Sequence, residues 1–137
     1  MVPFAPGIFS MNQTGSGQGA VQIAPTNQLA APFSSGGRPV KRHEYIAIFC
    51  TGLGPVSNQP ATGAPALSGP LSVTSTLPLV TIGDSLALVT FSGLAPGLAG
   101  IYQVNAIVPD TIPSGDSVNL VISIGGVRSN TVTIAVQ

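Results

Sequence analysis

The residues able to do chemistry are few in this 137-residue chain. The carboxylates are Glu44, Asp84, Asp110 and Asp116, the cationic groups are Arg38, Lys41, Arg42 and Arg128, and His43 and Cys50 are the single histidine and the single cysteine. Asp110 and Asp116 flank one turn, PDTIPSGD. They are the candidate metal ligands, since carbonyls of the 109–117 turn could join their carboxylates around a calcium ion, which takes about 6–8 oxygens. Turn capping is the commoner use of such aspartates. The same pair could approach as a glycosidase requires, but that chemistry needs two carboxylates facing each other across a sugar cleft. Zinc needs about four nitrogen or sulfur ligands, more than one His and one Cys supply. Serines are plentiful, yet a lone His and the lack of a GxSxG stretch leave no triad. GSGQG (15–19) has the glycines of a phosphate loop without its lysine or a following helix, and reads as a turn. No cofactor is expected.

Composition narrows the classes further. Charged residues are 6% of the chain and the formal net charge is zero, against about a quarter charged in an ordinary domain. Nucleic-acid binding, which needs clustered Lys and Arg against phosphates, is not expected. Arg38, Lys41 and Arg42 do sit together, but with Glu44 beside them they read as a solvated loop. Apolar residues make up 44%, so a core is available and disorder is not indicated. With one cysteine no internal disulfide can form, and Cys50, inside IAIFC, reads as a buried small hydrophobe. No run reaches the roughly 18 apolar residues of a membrane-spanning helix. The stretch MVPFAPGIFS has neither a charged n-region nor a long apolar h-region, so any export leader is expected outside it. Asn12-Gln13-Thr14 is formally a glycosylation sequon.

The elements that must position these groups are strands. Residues 1–23 read as an N-terminal hairpin around Gln13–Gly17, and 24–40, rich in Pro and Gly, as a loop that Leu29 and Phe33 pin to the core. Tyr45–Thr51 is apolar on both faces and reads as a central strand, with Ile46, Ile48 and Cys50 on one side. The stretch 52–70 is a long Gly- and Pro-rich loop, either a crossover or a binding loop. Leu71–Thr76 fits an edge strand before Pro78. Leu79–Ile82 and Leu86–Phe91 flank Gly83-Asp84, which fits a type II′ hairpin. In Leu94–Gln137, Tyr102, Val104, Ala106 and Val108 alternate with Gln103 and Asn105, and Val118, Leu120, Ile122 and Ile124 alternate with Asn119, Val121 and Ser123. Gly125-Gly126 fits a type I′ turn, and Val132, Ile134 and Val136 close the chain. No sustained 3.6-residue stripe occurs. The expected fold is all-β: a single domain over 1–137, with 41–137 as the core of an antiparallel sandwich of about seven to nine strands.

The segments APGIFS (5–10), GSGQGA (15–20), TGLGP (51–55), VTIGD (80–84), FSGLAPGLAGIYQVNAIVP (91–109), SGDSVNLVISIGG (114–126) and SNTVTIAVQ (129–137) resemble, in combination and over nearly the whole chain, the acidobacterial Solibacter-type secreted C-terminal domain family. That resemblance implies a domain at the end of exported, often multidomain, bacterial proteins, and carries no catalytic residues with it. More distantly the order of motifs is similar to immunoglobulin-like domains of the IPT/TIG type, which implies an immunoglobulin-like β-sandwich. Two departures stand at turns: Gly83-Asp84 where the family has Gly-Gly, and His43 at a position often Gly.

The functional expectation is therefore a non-catalytic structural or interaction module, secreted or on the cell surface, whose partners are other protein domains or copies of itself. A second reading is a self-assembling extracellular subunit in which Phe4, Ile8, Phe9 and Met11 of the N-terminal segment add a strand to a neighbour's sheet edge. A third is a calcium- or carbohydrate-binding module. The sugar version is weak because Tyr45 and Tyr102 are the only tyrosines and there is no Trp.

Overall fold

Period-two alternation broken by Gly, Pro and Asp clusters produces short strands joined by tight turns. The structure, a computed structural model that describes residues 4–24, 26, 28–57, 72–98 and 101–137, is all-β and antiparallel. The ten strands among the described residues are β1 (Gly7–Ile8), β2 (Val21–Ala24), β3 (Gln28–Leu29), β4 (Tyr45–Thr51), β5 (Leu79–Ile82), β6 (Ser85–Leu94), β7 (Tyr102–Ile107), β8 (Gly115–Ile124), β9 (Val127–Arg128) and β10 (Val132–Val136). Among the described residues the only helical element is a 3-10 turn at Phe33–Ser35. The excess over seven to nine strands comes from β3 and β9, two-residue ladders too short to leave a periodic signal. The sheet order is β10-β8-β5-β6-β7-β4-β2-β3, with β1 added on β4 and β9 on β8, and the sheet curls into a half-barrel.

Strand β6 makes the curl. Its start, Ser85–Ala87, pairs with β5, and its remainder, Leu88–Leu94, pairs with β7. A bulge between Val89 and Phe91 inserts Thr90. The extra residue shifts the alternation by one, so Val89 lies opposite inward Ala106 while Phe91 lies opposite outward Asn105. Past the bulge Ser92 faces inward, where the Thr74 hydroxyl donates to its Oγ at 2.8 Å. The inner faces meet in one apolar core containing Ile46, Ile48, Cys50, Val104, Ala106, Leu120, Ile122 and Ile134. The alternations read from β4, β7, β8 and β10 are the ones observed.

Three local readings change. First, 1–23 is not a free hairpin. Both β1 and β2 lie along the same edge of β4, and Phe9 N–H donates to Phe49 O between them. They are two halves of one strand, interrupted by an excursion whose arms meet at Ser10 and Gly19. That excursion crosses to β10: Gly19 N–H donates to Thr133 O and Thr133 N–H to Gly17 O. Second, the 24–40 segment is pinned not by Phe33, which is 71% exposed, but by the fully buried Ala30, Ala31 and Val40. Small side chains fit there because the backbone itself approaches β10, Ala135 N–H donating to Ala30 O and Val40 N–H to Ala135 O. Third, Gly83 (φ 56°) and Asp84 (φ 67°) both take positive φ, which is the type I′ requirement rather than type II′. Aspartate tolerates the left-handed region better than most residues, so Asp84 can stand where a second Gly would be easier. Gly125 and Gly126 form the type I′ turn as read. Of the edge segment 71–76, Leu71 lies outside the described residues, while Val73 bridges Gly93 and Thr74 bridges Val56.

Candidate functional site

Most of the ionisable side chains gather at one pole, and three of them, Arg38, Arg42 and Glu44, are tied to the backbone around them. Glu44 accepts two bonds from the Arg38 guanidinium, each 3.0 Å, and one from Lys41 N–H at 2.7 Å. The Arg38 hydrogen bonds, more than any other influence, hold the Glu44 carboxyl below its usual range and Arg38 above its own. Arg42 donates to Ile112 O through Nε (3.1 Å) and Nη2 (2.7 Å), and to Gln137 O at 3.3 Å. It thereby clamps the 110–116 turn to the chain end. Two of the three clustered bases, Arg38 and Arg42, are thus held by hydrogen bonds to the Glu44 carboxylate and to the Ile112 and Gln137 carbonyls.

The carboxylates singled out for calcium sit at this pole. Asp110 is exposed, with Oδ2 3.7 Å from His43 Nε2, and Asp116 is exposed at the start of β8. Among the described residues no group of three or more His, Cys, Asp or Glu could hold a metal. The Cys50 thiol is buried in the core, and burial pushes it up to about 12. The motif TGLGP is a structural corner: Leu53 is fully buried, and Gly54 O accepts a 2.6 Å bond from the Tyr102 hydroxyl. At Gly52, φ is 76° and a Cβ would run into the Ala5 carbonyl, so only glycine fits. Of the long loop 52–70, residues 58–70 lie outside the described residues.

The N-terminal interaction candidates divide. Ile8 is 3% exposed in the core, and Phe4 packs partly buried against that core. Phe9 and Met11 point outward, at 40% and 54% exposure, and Met11 shares a shallow cleft with Leu29 and Phe49. The segment is held by Asn130, which accepts from Ile8 N–H at 2.7 Å and donates to Ile8 O at 2.9 Å and Gly15 O at 2.7 Å.

The surface feature that sequence reading did not single out is a leucine groove on the β5–β6 hairpin. Leu77, Pro78 and Leu79 form one bank, and Leu86, Ala87, Leu88 and Val89 the other, around an open space of about 350 Å³. Leu77, Leu79, Leu86 and Leu88 are 67%, 54%, 63% and 66% exposed. The tight turn at Gly83-Asp84 fixes the register Val80↔Ala87 and Thr81↔Leu86. Val80 and Ala87 therefore point into the core and the leucines must point out. The signal was present: LPLVTI and SLALVTF are apolar at both phases of the alternation, whereas a strand with one wet face shows polar residues at one phase. From Leu88 the stripe continues across the sheet through its partner Ile107 to Tyr45. No helix among the described residues is long and apolar enough to cross a membrane. Comparison with known protein families, with curated proteins and with solved structures finds no match.

Proposed function

We propose that the chain is a non-catalytic interaction module of an exported bacterial protein, built as an immunoglobulin-like sandwich opened along β6. The observation that carries the reading is the outward leucine groove. A contiguous, strongly exposed apolar patch on a small domain marks a contact surface, and water is kept from four leucines only when a partner covers them. The charged pole supports a structural rather than catalytic role, since Arg38, Arg42 and Glu44 are spent on local bonds. The sandwich reading is supported by β6 passing from one half-sheet to the other over a single core. Export is supported by the family resemblance and by a surface polar mainly through Ser, Thr, Asn and Gln.

The test uses the full exported protein, produced with photo-leucine in place of leucine and irradiated after secretion. Cross-links from Leu77, Leu79, Leu86 or Leu88 to protein, of this chain or another, are expected. An absence of such cross-links overturns the reading. So does turnover of a substrate by the purified chain that a single substitution abolishes.

A further inference from the structure

We infer that the leucine groove is a self-complementary surface whose occupant is a second copy of this chain, packed about a two-fold axis. The inference rests on the interaction-module reading and names its partner. The first argument is shape. The hairpin presents a ridge and a furrow of the same chemistry side by side: Leu86 and Leu88 project on one strand, and Leu77 and Leu79 stand across the groove from them. An isologous interface needs one patch to be its own complement. A leucine ridge laid into a leucine-lined furrow, repeated by the two-fold, meets that condition with the same residues on both sides.

The second argument is area. The four leucines expose on the order of 400 Å², at the size where a patch on a monomer is usually functional. Their continuation through Ile107 to the half-exposed Tyr45, with Pro78 and the strand surface between, brings the face toward the roughly 800 Å² per partner of a specific interface. The groove lining is wholly apolar and carries no charge, as the centre of an interface does, and the exposed aromatic ring of Tyr45 stands at the far end of the stripe.

The third argument is charge. Every charged side chain except Arg128 lies at the pole formed by the 38–44 loop, the 83–84 turn and the 110–116 turn, joined by the Arg38–Glu44, His43–Asp110 and Thr111–Ser85 contacts. That pole borders the groove at one end and carries both signs, and Arg128, in the cross-strand row Leu79–Ser123–Arg128, stands two strands away on the other side. With zero net charge nothing long-ranged opposes the approach of a second copy. A strongly charged partner would find no counter-charge in the groove.

The experiment is sedimentation equilibrium on the purified chain, from about 1 µM to about 1 mM, with Leu88→Lys and Leu88→Glu as variants. Both substitutions are at an outward position, and circular dichroism melts check that they fold. The wild type is expected to dimerise, and each variant to associate at least tenfold more weakly. An equimolar mixture of Leu88→Lys with Leu79→Glu is expected to regain association, because the ridge of one copy lies in the furrow of the other and brings the two charges together while the second ridge and furrow stay apolar. Leu77→Lys, outside the strands, gives the same reading should position 88 disturb the hairpin. A wild type that stays monomeric to 1 mM overturns the inference, while photo-leucine cross-links to another domain would still uphold the interaction module. A dimer indifferent to Leu88→Lys and Leu77→Lys also overturns it, because association would then use another surface.

Discussion

Asn130 does for the N-terminal strand what a neighbouring strand would do, and removing its side chain measures that work. Its amide accepts one bond and donates two, at 2.7, 2.9 and 2.7 Å, tying Ile8 and Gly15 to the start of the last strand across more than a hundred residues of chain. Asn130→Ala breaks all three. A typical hydrogen bond contributes about 1 kcal/mol net, and a part-buried donor or acceptor left without a partner costs about 1–3 kcal/mol. Water can reach Gly15 in its exposed turn, so the larger loss falls on Ile8, whose side chain is in the core. The expected loss is about 2–4 kcal/mol, a sizeable part of a domain stability of about 5–15 kcal/mol. Urea unfolding followed by circular dichroism reads it as a lower midpoint at unchanged slope. Hydrogen exchange then localises it: the amides of Ile8 and of the 10–19 excursion should lose protection by at least tenfold, while those of β7 and β8 fall only with global stability. A loss below about 0.5 kcal/mol, or unchanged protection at Ile8, would refute the reasoning and show that the β1–β4 pairing alone holds the segment.

Three further outcomes follow from the charged pole and the core. Glu44→Gln removes a carboxylate whose folded value lies below its usual value near 4.5. Its stabilisation is complete above the unfolded value and is lost as pH falls through the folded one, so the variant should be about 0.5–1 kcal/mol less stable at neutral pH and equal to wild type in strong acid, as urea midpoints across pH will show. His43 holds φ at 72°, a conformation that costs a non-glycine residue about 1 kcal/mol. His43→Gly should therefore raise the melting temperature by about 3 °C, its long contact to Asp110 being too exposed to matter much. Cys50, with its thiol buried and raised to about 12, should resist a thiol-specific disulfide reagent at pH 8 in the folded protein and react fully in urea. Fast labelling without denaturant would contradict its place in the core.

What the sequence made legible was whatever depends on period two over five or more residues. The inward sets of β4, β7 and β8, and the Gly125-Gly126 turn, follow from local alternation and from the φ those glycines permit. What it hid depends on tertiary partners. The splitting of one strand into β1 and β2 is set by Phe49 and β10, which lie far along the chain. The burial of Ala30 in place of Phe33 reflects how close two backbones come, which side-chain size alone does not announce. The Gly83 turn is type I′ and not type II′ because Asp84 takes positive φ beside Gly83, which its residue type permits but does not announce. The groove is hidden for a related reason. Leu79 and Leu88 are indistinguishable by type from core residues, and only the register Val80↔Ala87 decides which phase is wet.

The edges of the sheet bear on how such a chain can associate. An all-β domain with hardly any charge lacks the usual protection of edge strands by lysine, yet its principal edges are covered by its own backbone. Gly17–Gly19, Ala30 and Val40 occupy the free side of β10. The 72–74 segment pairs with Ser92 and Leu94 beside the end of β6, and Asn130 satisfies Ile8 on the side away from β4. Donation of the N-terminal strand to a neighbour would first have to break the β1–β4 ladder and the Asn130 bonds, and would pull Ile8 out of the core, for ladder bonds of equal kind in return. Face-to-face packing at the leucine groove breaks nothing and buries side chains already in water. The two routes separate in one comparison: Asn130→Ala should promote association if strands are exchanged, and leave it unchanged if leucines 77, 79, 86 and 88 form the contact.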